Sequence, residues 1–165
     1  AVTVDREKYI GGSDIPIIMG ISPFKTRFDL LLEKAGLKDN DFTGNEYTEY
    51  GNVLEPKIRN YMCEIDHTEY KEDKLIKDDI RCHVDGYDGA VIIEIKTTSQ
   101  VHKKVDEYKV YLVQLLFYMY HYNKALGQLC VYKRPDDFNE KFDKKRLQIF
   151  DVELDKYKDL IEQIK

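Results

Sequence analysis

The chain predicts an α/β (α+β) fold, a mixed central β-sheet flanked by helices, in one domain over residues 1–165. The first observation behind this is the order of local patterns: helical periods, a β-hairpin, a long helix, two more strands and a closing helix. The second is Asp88-Gly89 set between two strand-forming runs, a strong hairpin signal. The third is size and composition: 165 residues, 42% hydrophobic and 35% charged, can enclose one core and leave little for a second.

Each element has its own reason. In G-G-S-D-I-P-I-I-M-G, Ser13 is placed to cap a helix, Asp14 and Pro16 suit its first turn and Gly20 ends it. Thr26 caps the run R-F-D-L-L-L-E-K-A, which Gly36 closes, with Leu30, Leu31 and Lys34 setting the period. A third helix is expected over Glu55–Glu64, with Leu54, Ile58, Tyr61, Met62 and Ile65 as its apolar face. Pro56 suits a first turn, which puts Glu55 at the helix start. The stretches Glu69–Lys74 and Asp136–Arg146 mix charges of both signs and read as solvated loops. H-V-D-G-Y and A-V-I-I-E-I-K-T-T form the hairpin. A helix over about Lys104–Asn123 buries Val105, Tyr108, Leu112, Leu115, Leu116 and Met119. Q-L-C-V-Y-K and R-L-Q-I-F-D-V are two further strands, and D-K-Y-K-D-L-I-E-Q-I-K is the last helix.

Composition removes several classes of function. Cys63, Cys82 and Cys130 are odd in number and widely spaced, which argues against a disulfide framework or a structural zinc site. A net charge of −5 argues against nonspecific coating of nucleic acid by bulk charge, though not against a local basic groove. No apolar run approaches the ~20 residues of a membrane span, and A-V-T-V-D-R-E-K-Y-I-G-G lacks a signal-peptide core, so no membrane partner is expected.

The chemistry concentrates in the hairpin. With a two-residue loop at Asp88-Gly89, Tyr87 pairs with Ala90 and Asp85 with Ile92. Asp85, Ile92, Glu94 and Lys96 then share a face, and the two acids sit diagonally, ~7–8 Å apart between Cα atoms. Two carboxylates so placed can converge on one hard divalent cation, and a lysine two residues on can orient or deprotonate a bound water. Val91, Ile93 and Ile95 occupy the opposite face as core. The same spacing also describes a solvated strand face with a Glu94–Lys96 surface pair, and the pattern D-x8-E-x-K alone does not choose between them.

Three segments extend the argument: R-E-K-Y-I-G-G-S-D-I-P-I-I-M-G-I-S-P-F-K-T, then Y-G-N-V-L-E-P, then H-V-D-G-Y…V-I-I-E-I-K-T-T with the later Y-L-V-Q-L-L-F-Y-M. The hairpin resembles the core of PD-(D/E)XK nucleases. The whole set resembles the YqaJ-type viral recombinases, a branch that includes lambda exonuclease and related phage alkaline exonucleases. The resemblance implies a restriction-endonuclease-like core. It makes Asp85 and Glu94 metal ligands with the Ile95 carbonyl as a third, Lys96 the catalytic lysine, and Glu55 an upstream helix carboxylate that binds metal directly or through water. Gln114 matches a glutamine near the metal water or scissile strand. Arg6 and Ser13 match residues that hold a 5′-terminal phosphate, which suits Ser13 after two glycines at a helix N-terminus. The plainer alternatives are a helix-start acid for Glu55, a flank residue for Gln114, and an N-cap with a surface arginine for Ser13 and Arg6. Val84 replaces the family's proline, a strand-geometry position, and the charged Glu64–Arg81 segment is short for an arch over the site.

Carried through, the resemblance implies a Mg²⁺-dependent exonuclease (with Mn²⁺ as substitute) acting 5′→3′ on duplex DNA ends. It further implies a single-strand annealing recombination protein as partner, a homotrimeric ring, and the cytoplasm of a bacterial or phage-infected host cell. The alternatives are a nuclease with other specificity (an endonuclease or single-strand exonuclease), a noncatalytic DNA-binding protein of the same fold, and phosphate-ester hydrolysis on a small nucleotide. Ser99 is a further candidate for backbone contact, and Lys103, Lys104, Lys109, Lys133, Arg134, Lys144, Lys145 and Arg146 are candidates for the basic strip that DNA requires.

Overall fold

The computed structural model of the chain describes residues 9–21 and 46–164. Arg6 and the helix expected between Thr26 and Gly36 lie outside them. The elements are a 3₁₀ turn at Gly12–Asp14, α1 (Ile15–Ile18), α2 (Glu46–Asp66), β1 (Lys71–Lys77), β2 (Ile80–Tyr87), β3 (Val91–Thr98), α3 (Lys109–Tyr122), β4 (Leu126–Lys133), β5 (Leu147–Glu153) and α4 (Lys158–Ile164). The strands form one mixed sheet in the order β1-β2-β3-β4-β5. Among the five strands only β3 and β4 pair in parallel, and α3 makes the crossover that a parallel connection requires. Among the described residues no helix is long and apolar enough to cross a membrane.

Strand alternation sends each core strand's residues to two different cores. On one face Ile92, Leu129 and Val131 pack under α3 with Leu112, Leu115, Leu116 and Met119. On the other, Ile93, Ile95, Cys130 and Tyr132 pack against Tyr50, Leu54, Ile58 and Met62, a four-residue repeat along α2. Each such side chain, fully buried, contributes about 1.5–3 kcal/mol. Both faces of β3 are therefore covered, and the solvated-face reading of the hairpin fails.

Several expectations need correction. Ser13 is not a helix N-cap: it is an exposed residue inside the 3₁₀ turn, and the helix that follows has only four residues. Such a helix has too few aligned peptides to make the dipole that the anion argument needs. Helix α2 begins nine residues before Glu55, so Pro56 lies in its interior. Proline there leaves the Asn52 carbonyl without its helical donor, and both residues are on the exposed side, where water replaces it. Ile65 is 40% exposed rather than core. The charged Lys71–Lys77 is an edge strand, not a loop; exposed charges on an edge blunt strand addition and hide the alternation that marks inner strands. Helix α3 starts at Lys109 after a 3₁₀ turn at Val105–Glu107, and it is buried nearly all round from Leu112 to Met119.

The hairpin register also differs by two. Tyr87 pairs with Ile92 and Gly86 with Ile93. The reason lies in the turn, where the Asp88 carboxylate accepts the N–H groups of Ala90 and Val91 at 2.9 and 2.8 Å and Gly89 takes φ +97°. This Asx arrangement widens the loop. On the other edge, Lys71 pairs with Tyr87 but Asp73 pairs with Val84, so Asp85 and Gly86 together oppose the single residue Glu72. That is a β-bulge, a device that re-aims side chains beside sites.

Gly12 packs against the Tyr118 ring, whose Cε1 would lie 2.6 Å from a β-carbon there. Gly12→Ala is expected to lower stability by about 1–3 kcal/mol, measured by urea unfolding, because buried overpacking displaces α3 or the turn.

Candidate active site

The bulge places Asp85 where β2 and β3 part. Beyond Gly86–Ile93 the ladder stops, and the Asp85 carboxylate takes the Ile95 N–H at 2.8 Å in place of a strand partner. Two residues along β3 from Ile92, Glu94 turns under α3 and is 4% exposed. Its Oε1 lies 3.4 Å from Lys96 Nζ, and its buried Oε2 has no hydrogen-bond partner. Lys96 Nζ in turn sits 5.7 Å from the centre of the Tyr111 ring.

Glu55 reaches the same region from α2. It lies mid-helix, which removes the macrodipole explanation for an acid there. Its Oε2 accepts from Arg59, one turn on, at 2.6 Å, and Arg59 also donates to Glu72 at 3.0 Å and to the Asp85 carbonyl at 2.7 Å. Arg59 was missed in the sequence, although its i,i+4 spacing from Glu55 was the available signal. Tyr111 and Tyr118 were missed as well, because tyrosines at helical spacing read as core.

Electrostatics show that the carboxylates are crowded. Burial, and then the Glu94 charge, push Asp85 up to about 7 against the opposing pull of Lys96 and the Ile95 N–H. Burial, and then Asp85, push Glu55 up to about 7. For Lys96, burial favours the neutral amine, but Glu94 and Asp85 outweigh it and hold the side chain as an ammonium. The Tyr118 hydroxyl is held well above its usual range by burial and then by Glu94 and Asp85, so α3 lies over both acids. Gln114, 7% exposed, sits between Tyr111 and Tyr118 on α3 at i+3 and i−4, which places it on the helix face toward the site.

The structure thus brings Asp85, Glu94, Lys96 and Glu55 to one region, with Gln114 on the helix above and Ile95 tied in through its N–H. Ser13 lies on the turn packed below Tyr118. Lys133, Arg134 and Arg146 meet just past the ends of β3 and β4: Arg134 N–H bonds the Thr98 carbonyl at 2.8 Å, and Arg146 bonds the Lys133 carbonyl at 3.2 Å. Ser99, Lys103 and Lys104 are exposed beyond the end of β3.

The donor set suits a hard cation in part. Among the described residues no three Asp, Glu, His or Cys side chains meet as a ready cation cage. Asp85 and Glu94 do offer carboxylate oxygens, and the orphaned Glu94 Oε2 is a buried acceptor that a cation would satisfy. Glu55 is already committed to Arg59.

A mixed sheet with a parallel crossover helix closed over a forked hairpin is the fold of the phage-type exonucleases to which the chain is similar. The chain belongs to the YqaJ-like viral recombinase domain family, whose pattern matches residues 3–124. It is 29% identical over 136 residues to the uncharacterized protein YqaJ of Bacillus subtilis (strain 168), an alignment covering 75% of this chain and 41% of that protein, so the chain spans less than half of its relative. Its fold is similar to the crystal structure of a phage-related exonuclease from Haemophilus somnus 129PT (TM-score 0.70, 18% identity, 94% of this chain and 88% of that one). It is also similar to an alkaline exonuclease from Laribacter hongkongensis (TM-score 0.63, 16% identity, 96% and 85%) and to the same enzyme in complex with dAMP (TM-score 0.66, 18% identity, 96% and 83%).

Proposed function

We infer that the chain is a Mg²⁺-dependent deoxyribonuclease that degrades duplex DNA from its ends in the 5′→3′ direction. The observation that carries this is Glu94, an acid buried beside Asp85 and Lys96 with one oxygen unsatisfied. Asp85 and Glu94, with the Ile95 carbonyl, would hold the cation, and Mn²⁺ would substitute. When bound, it supplies Lewis acidity toward a phosphodiester and lowers the pKa of a water. The Ile95 N–H fixes the Asp85 carboxylate, and Tyr111 and Glu94 fix Lys96. As an ammonium, Lys96 orients the attacking water and offsets charge that develops on the phosphate. Gln114 offers an amide from α3 to that water or the scissile strand, and α3 excludes bulk solvent.

Family membership and the similarity in fold to a phage-related exonuclease and an alkaline exonuclease support the reading, and the latter's complex with dAMP fits release of mononucleotides. On the family resemblance alone, Arg6 and Ser13 are proposed to hold a 5′-terminal phosphate, Ser13 as an exposed residue of the 3₁₀ turn and not through a helix dipole. A single-strand annealing recombination protein and a homotrimeric ring are the proposed partner and assembly.

The test is digestion of 5′-phosphorylated linear duplex, 5′-hydroxyl linear duplex and a covalently closed circle in Mg²⁺, Mn²⁺ or EDTA. The expected result is loss of the linear substrates with either metal, faster for the phosphorylated end, with the circle intact. Cleavage of the circle points to an endonuclease, and DNA binding without cleavage in either metal points to a noncatalytic binder.

A further inference from the structure

We propose that Tyr47 and Arg134, backed by Phe138, form a stacking platform for an unpaired nucleobase of a DNA strand that runs to or from the acidic site. The inference rests on the nuclease reading above and adds the residues that grip single-stranded DNA beside that site.

Tyr47 lies in the first turn of α2 and is 50% exposed. The Arg134 guanidinium carbon sits 4.4 Å from the centre of its ring and 5.5 Å from that of Phe138, and the two rings are 5.6 Å apart. A guanidinium is a flat cation that stacks on aromatic faces, so the three groups make a planar, positively charged surface. Fixing the loop after β4 does not require Tyr47. The Tyr50 hydroxyl already ties that loop to α2 by donating to the Asn139 carbonyl at 2.6 Å, and Lys57 does so by donating to the Glu140 carbonyl at 2.6 Å. Phe138 is held at φ +53°, an uncommon conformation for a bulky residue, and there its ring meets the edge of Tyr50 as well as Tyr47.

Placement ties the platform to the site. Tyr47, Gly51 and Glu55 follow one another at four-residue spacing along one flank of α2, which puts Tyr47 about 12 Å from Glu55 along the helix axis. The middle residue of that row is glycine, so no side chain stands between ring and carboxylate. A β-carbon at Gly51 would lie 3.2 Å from the Oγ1 of Thr97, the neighbour of Lys96 on β3. From the sheet, the Arg134 N–H bonds the Thr98 carbonyl at 2.8 Å and holds Arg134 beside the strand end two residues past Lys96. Lys133 is exposed next to it, and Arg146 bonds the Lys133 carbonyl at 3.2 Å, so cations for phosphates adjoin the rings. Asp136 and Asp137 flank the loop, and the Asp137 carboxylate is turned back onto the Asn139 N–H at 3.1 Å. Aromatic rings beside a basic strip are what single-stranded nucleic acid needs, because every base has an aromatic face and every link a charge.

The experiment uses the full chain in EDTA, which holds cleavage off. The probes are 5′-phosphorylated duplexes with a short 5′ or 3′ overhang in which 2-aminopurine replaces one base at a time. The expected result is quenching at one overhang position on binding. Quenching in the 5′ arm assigns the platform to the digested strand, and quenching in the 3′ arm assigns it to the complement. Tyr47→Ala and Arg134→Ala should each abolish the quenching and weaken binding about fivefold or more, while Tyr47→Phe retains both. Tyr47→Leu, which keeps bulk against Phe138 but no ring, should behave like Tyr47→Ala and replaces it if that variant does not fold. In Mg²⁺, the ring-less variant should show a raised KM with kcat little changed. Absence of quenching in the unsubstituted chain, or quenching and affinity kept in folded Tyr47→Leu, would overturn the platform, and Mg²⁺-dependent digestion by the same samples would leave the nuclease reading standing. Quenching lost in Tyr47→Leu from a chain that cleaves nothing in Mg²⁺ or Mn²⁺ would uphold the platform and overturn the nuclease reading.

Discussion

Asp85→Asn and Lys96→Ala are each expected to reduce Mg²⁺-dependent digestion of linear DNA by about 10³-fold or more, with DNA binding changed only a few-fold. Asp85→Asn keeps the shape and the acceptor for the Ile95 N–H, so the fork between β2 and β3 survives. What it loses is one of the two carboxylates available to the cation. Lys96→Ala removes the ammonium held between Glu94 and Tyr111 and leaves Glu94 without its only ionic partner among the described residues. The measurement is initial digestion rate paired with fluorescence anisotropy on the same duplex. Rates near the unsubstituted value in both variants would remove the mechanism, whatever the fold.

The metal-free protein is expected to become less stable as pH rises from about 4 to about 7. Asp85 ordinarily titrates at 3.8 but in the fold at about 7, chiefly through burial and then the Glu94 charge. Below 3.8 it is protonated in both states and carries no penalty. Between the two values the unfolded chain releases this proton and the folded chain holds it, so the stabilising term declines by about 1.4 kcal/mol per pH unit and is lost as pH passes the folded value. The integrated effect is of the order of 4 kcal/mol at most. Glu55 shifts in the same direction and is coupled to Asp85, so the two do not simply add. In EDTA the melting temperature should fall between pH 5 and pH 8, and Asp85→Asn should flatten that slope. At pH 8 the variant should melt several degrees above the parent while being inactive, the expected trade at a site built for function. Mg²⁺ should raise the melting temperature of the parent at pH 8 and leave Asp85→Asn nearly unchanged. A parent whose stability is flat or rises across this range would show that its acids are compensated without a cation.

Legibility in the sequence followed the range of the interaction. The face shared by Glu94 and Lys96 was readable because strand alternation is local and survives a register change of two. Helix α3 was readable in outline because its buried positions repeat locally, but its burial on nearly all sides was not, since that depends on what surrounds it. The edge strand β1 was hidden because its charges answer to solvent and not to a pleat. Glu55 was found by resemblance and its position misjudged, because Pro56 signals a helix start and a 21-residue helix overrode it.

The residues alone determined the mixed architecture, through local periods, and the family, through three segments spread along the chain; the Asp85, Glu94 and Lys96 set came as a candidate from that resemblance, since the hairpin spacing by itself also describes a solvated face. Only the tertiary structure decided that Glu94 is buried under α3 with an oxygen unmatched, that a bulge aims Asp85 at the Ile95 N–H, and that Arg59 holds Glu55. Those facts depend on elements far apart in the chain meeting across both faces of a sheet, and no local period encodes such meetings.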